Sequence, residues 1–97
     1  MALNFRISVC LKSGSLHLTL LAEDFDGSSA YELLNVFNDN VHRIPKIIIQ
    51  TNGLKATQPF GTDVLESRLT NLESRGCEII FTGQNAKLIA PQEFLGF

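Results

Sequence analysis

The side chains with the most chemistry to offer in this chain are two histidines, two cysteines and a knot of three carboxylates. His17 and His42 lie 25 positions apart with no carboxylate or cysteine spaced to complete a zinc site. Both read as surface or part-buried imidazoles. Cys10 and Cys77 belong to no CxxC or Cys/His pattern and read as reduced, part-buried thiols. Glu23, Asp24 and Asp26 fall within four positions just ahead of a predicted helix, where the free N–H groups of the first turn favour negative charge. Helix capping accounts for them; a metal would need oxygen ligands that converge in space, not merely in sequence. No GxSxG, HExxH, GxGxxG or Walker pattern is present, and no serine has a local base signature. The expectation is a non-enzyme with no catalytic residue, no metal and no cofactor.

Composition narrows the partners. The chain has 97 residues, 44% hydrophobic and 19% charged, which predicts one domain spanning residues 1–97 with a core of its own. Net charge is −2 and the lysines and arginines are scattered singly, so there is no basic stripe for nucleic acid or an anionic membrane. The aliphatic run Ile47 to Ile49 is far short of the roughly 20 residues that cross a bilayer. Arg6 interrupts the N-terminal apolar pattern where a signal peptide needs continuity. A cytoplasmic protein without membrane insertion is expected.

The elements that position these residues follow from periodicity. Phe5, Ile7, Val9 and Leu11 alternate with polar residues, predicting a half-buried edge strand. Ser13-Gly14 is a turn, and Leu16, Leu18 and Leu20 alternate beyond it, completing a hairpin. Ser29 and Glu32 have capping-box spacing, which predicts that helix one starts at Ser29; its apolar stripe is Ala30, Leu33, Leu34, Phe37 and Val41. Ile47 to Ile49 predict a central strand covered on both faces. Helix two is predicted from Pro59 to Arg75, with Gly61, Val64, Leu65, Leu69 and Leu72 inward and Gly76 after its end. Cys77 to Thr82 form another inner strand, and a short helix around Asn85 to Ala90 stops at Pro91. The order is β-β-α-β-α-β-α, and the strand-helix-strand units require parallel neighbours in an α/β layered domain with a mixed sheet.

Three segments carry a resemblance beyond element order: LTLLAEDFDGSSAYEL from Leu18, IIIQTNGLKATQPFGTDVL from Ile47, and GCEIIFTG from Gly76. Together they resemble the STAS domain, the fold of bacterial anti-sigma factor antagonists, over nearly the whole chain. Phe25-Asp26 stands where the family has a Leu-Asp pair before helix one, and Glu23 where it has a glycine. Gln50 corresponds to the family's strand aspartate, Gly53 to its turn glycine and Gly61 to the glycine of helix two. Where the family has Asp-Ser-Ser, with a hydroxyl as phosphoacceptor, this chain has Gln58, Pro59 and Phe60, none of which accepts a phosphoryl group. A phosphate at a helix start would add about two negative charges to the surface a partner reads. The sequence therefore predicts a domain without the usual switch; Thr57 and Thr62 flank the gap as the alternative phosphoacceptors, or serve as a turn residue and a helix-start residue.

The resemblance implies a non-catalytic domain that binds an anti-sigma factor or related kinase-like protein in bacterial partner switching. Asp26, Gln58, Pro59, Phe60, Gly61 and Thr62 are the expected partner-binding residues. Phe60 either points outward as an anchor or tucks into the core. The alternative role is a cytosolic STAS-like subunit of a membrane transport complex. The apolar end Phe94-Leu95-Gly96-Phe97 either folds back over the sheet or leaves a patch that a second copy covers in a homodimer.

Overall fold

The computed structural model describes residues 5–90 and 94–95. Strands β1 (Arg6–Lys12), β2 (Ser15–Ala22), β3 (Lys46–Leu54) and β4 (Glu78–Thr82) form one mixed sheet in the order β1-β2-β3-β4. β1 pairs antiparallel with β2 through the hairpin, whereas β2, β3 and β4 run parallel. The two parallel steps are made by α1 (Gly27–Asn40) and α2 (Pro59–Glu73), and α3 (Ala86–Ile89) follows β4. The predicted order β-β-α-β-α-β-α is the observed one.

Burial follows the period of two along the strands. Leu16, Leu18 and Leu20 of β2, Ile47 and Ile49 of β3, and Ile79 and Phe81 of β4 are buried on one face. The stripes of α1 (Ala30, Leu33, Leu34, Phe37) and α2 (Leu65, Leu69, Leu72) complete that core, with Val64 half-buried against it. These are the residues that helical periodicity selects. The opposite face carries His17, Ile48, Gln50, Ile80 and Thr82, all half-buried. β3 is thus central in the sheet but covered on one face only, contrary to the reading of its three isoleucines; a continuous β-branched run satisfies a central position even when one row faces outward.

Three further expectations change. The apolar row of β1 does not bury along its length: Phe5 is buried and Ile7 half-buried, but Val9 and Leu11 are exposed, because β1 is an edge strand with β2 as its one neighbour. Cys10 is exposed rather than part-buried, while Cys77 is buried; burial, with Glu78 beside it, pushes the Cys77 thiol above its ordinary range. Helix α2 ends at Glu73, two residues before the predicted Arg75, with Gly76 N–H donating to the Glu73 carbonyl.

At the C-terminal end the chain folds back. Phe94 is buried, and Leu95 forms a parallel bridge to Phe81 of β4, so the open edge of β4 is partly occupied by this chain's own residues. Pro91, Gly96 and Phe97 lie outside the described residues.

Candidate functional site

Both crossover helices start from one platform. After a register shift between Thr19 and Leu21, the β2 and β3 exits remain side by side. Lys55 N–H donates to the Ala22 carbonyl (3.1 Å), Phe25 N–H to Ala56 (2.9 Å) and Gln58 N–H to Phe25 (2.8 Å), with Phe25 and Thr57 bridged in parallel. The two loops therefore behave as a continuation of the sheet, and backbone polar groups that would otherwise lack partners are paired. Phe25 anchors this ladder to the core: it is fully buried, and its ring meets Phe5 edge-on at 5.9 Å.

Asp26 is the N-cap of α1, three residues ahead of the predicted start. Its carboxylate accepts from Ser29 N–H (2.9 Å) and from the Ser29 hydroxyl (3.1 Å), while Asp26 N–H donates back to Ser29 Oγ (3.3 Å). Ser29 is the answering N3 residue of a capping box, not the cap itself: it lies in the first turn of the helix and is fully buried. The Ser29 N–H bond is the main reason that the Asp26 carboxyl lies below its ordinary 3.8; desolvation, the next-largest influence, opposes it, and the Ser29 hydroxyl and Ser28 N–H add to the lowering. A lowered folded-state value means that the cap's contribution is present above the unfolded pKa and is lost as pH falls through the folded one. An Asp26→Asn variant keeps a capping oxygen but does not titrate. The difference in melting temperature between wild type and Asp26→Asn should therefore shrink on going from neutral pH to below about pH 4, which thermal denaturation across that range measures.

Two glycines let the helix starts interlock. A Cβ on Gly61 would lie 2.6 Å from the Asp26 carbonyl oxygen and 2.8 Å from that of Phe25. α2 thus rests directly on the backbone of the α1 cap. A Cβ on Gly27 would lie 2.6 Å from Cδ2 of Phe60, so the Phe60 ring sits on the bare first turn of α1. Its other side is free: Phe60 is 65% exposed, and of the two orientations open to it the outward one is observed. Because the atoms facing Gly61 are backbone and cannot swing away, Gly61→Ala should cost about 1–3 kcal/mol, read as a lowered denaturation midpoint at unchanged slope.

The other expected residues lie around this ring. Gln58 and Pro59 are exposed. Gln58 opens α2 without a side-chain cap bond and instead donates its amide to the Asp24 carboxylate. Capping therefore does not account for the whole acidic knot: Asp26 caps, Asp24 holds Gln58, and Glu23 pairs with exposed Lys55 at 3.1 Å. Thr62 is half-buried and donates its hydroxyl to the Pro59 carbonyl (3.0 Å); Thr57 is half-buried in the bridge to Phe25. Gln50, at the strand-aspartate position, accepts from Asn52 N–H (3.0 Å) and so shapes the end of β3. Gly27 was invisible to sequence reasoning as a site residue, because nothing in the Asp26-Gly27-Ser28 run announces an aromatic from another element. Among the described residues no cluster of His, Cys, Asp and Glu is arranged to hold a metal ion, and no helix is long and apolar enough to cross a membrane.

No protein-family profile and no curated protein sequence matches the chain. Among solved structures, the fold is similar to that of the anti-sigma factor antagonist SpoIIAA in its unphosphorylated form. The TM-score is 0.61 at 13% sequence identity, over 82% of this chain and 73% of that one. The domain is STAS-like in fold.

Proposed function

We propose that this chain is a non-catalytic protein-binding domain of the anti-sigma factor antagonist kind, docking a kinase-like anti-sigma factor through the loop before α2 and the start of that helix. The observation that carries the reading is Phe60, a large aromatic held outward on a helix N-terminus by a glycine of the neighbouring helix. Aromatic side chains that are rigid before binding give up little entropy on docking, which is what an interface anchor requires. Asp26 and Gly61 fix the backbone beneath it, Gln58, Pro59 and Thr62 form its surround, and Thr57 shapes the approach. With no hydroxyl at 58, 59 or 60, the family's switch has no acceptor there, and binding is constitutive with respect to it. The fold likeness to an anti-sigma factor antagonist supports the choice of partner class.

Charge says more about the face that receives Phe60. Residues 23–33 and 56–67 contain Glu23, Asp24, Asp26, Glu32, Asp63 and Glu66 but no Lys, Arg or His. Lys55, just outside these segments, pairs with Glu23, which leaves Asp24, Asp26, Glu32, Asp63 and Glu66 as an excess of five carboxylates in a chain whose overall charge is −2. A partner pocket rimmed by basic residues fits it, and the complex should weaken by about tenfold or more between 50 and 500 mM NaCl as screening grows.

The test is co-purification from the native lysate followed by titration of the purified partner with wild type and Phe60→Ser. Recovery of a kinase-like protein whose binding needs Phe60 supports the proposal. Recovery of transporter subunits instead would favour the transport-complex role.

A further inference from the structure

Away from the Phe60 surface, a cleft of about 160 Å³ opens between the two long helices, lined by Leu34 and Asn38 of α1 and by Arg68, Asn71, Leu72 and Arg75 on and just after α2. Leu34 and Leu72 are buried and make its floor, while the four polar side chains are exposed around it. Arg68, Asn71 and Arg75 recur at i, i+3 and i+7 and so share one side of α2; Asn38, one turn beyond Leu34, faces them from α1. No carboxylate lines the cleft, and among the described residues the one ion pair is Lys55 with Glu23, so both guanidiniums lack an acidic partner. A cation just beyond a helix end is favoured by the free carbonyls there, which accounts for Arg75, two positions past Glu73. Arg68 lies more than a turn inside the helix, beyond the reach of that effect.

We infer that this cleft is a binding site for a small oxyanion, a phosphate or phosphoryl group. The guanidinium fork matches phosphate oxygens with paired N–H donors, and the Asn38 and Asn71 amides supply neutral donors between them. At about 30 Å³ per water, the cleft of about 160 Å³ has room for a phosphoryl group. The buried leucine floor keeps solvent from one side of the bound group. This site is independent of the partner-binding reading, since it uses the far half of α2.

Nitrogen-15 shift mapping tests it directly, with inorganic phosphate and, separately, succinate titrated into the full chain at ionic strength held constant by NaCl. Phosphate should give saturable shifts centred on Asn38, Arg68, Asn71 and Arg75 with half-saturation in the low millimolar range. Arg68→Gln should weaken it at least fivefold, and Arg68→Lys, which keeps the charge but not the fork, less. Shifts that grow linearly to 50 mM phosphate, that centre elsewhere, or that survive Arg68→Gln and Arg75→Gln together would overturn the site. Saturation by succinate but not phosphate would overturn the phosphate assignment.

Discussion

Replacing Phe60 by Asp is expected to weaken binding of the proposed kinase-like partner at least thirtyfold, roughly 2 kcal/mol or more, while the domain's melting temperature stays within a few degrees of wild type. The two halves of this expectation have different causes. Phe60 is 65% exposed and its ring lies over Gly27, so the fold loses little when the ring is removed. The partner, in contrast, loses a preformed apolar anchor and meets a new carboxylate within an already acidic surround. Phe60→Ser separates the two contributions: it removes the ring without adding charge, and should retain more binding than Phe60→Asp. Titration calorimetry with the purified partner, paired with thermal denaturation of each variant, reads both quantities.

The largest effect on stability should come from Phe25→Ala. Its side chain is fully buried against Phe5, and its N–H and carbonyl tie the two loops together through Ala56 and Gln58. Truncating a buried phenylalanine removes about 3–5 kcal/mol, a large part of the about 5–15 kcal/mol that holds a domain of this size folded. The cavity would open directly under the helix starts. Urea denaturation should show a much lower midpoint, and Phe25→Leu, which keeps most of the volume, should recover more than half of the loss.

Sequence patterning made most of this architecture legible, for a physical reason. Leu16, Leu18 and Leu20 alternate, and Leu33, Leu34 and Phe37 recur at helical spacing, because one-sided burial imposes the period of each element. What patterning misses is contact between elements distant in sequence. The start of α1 was misplaced because Ser29-Glu32 and Asp26-Ser29 have the same spacing, and the burial of Ser29, a tertiary fact, decides between them. The exposure of Val9 and Leu11 follows from the place of β1 at the sheet edge and from what packs over it, which no strand pattern encodes. At the site, the Gln58-Pro59-Phe60-Gly61 run was visible as a departure from the family's pattern. The outward aim of Phe60 was not, since it rests on Gly27, 33 positions earlier.

Amide hydrogen exchange of the domain, free and saturated with the proposed kinase-like partner, tests most directly whether the helix-start platform is the docking surface. Slowed exchange is expected in residues 24–31 and 57–66, around Phe60, with little change along β1 or on the far half of α2. Protection confined to β1, to the open face of the sheet, or to the C-terminal turns of the helices, with the Phe60 segment exchanging as in the free domain, would contradict that assignment.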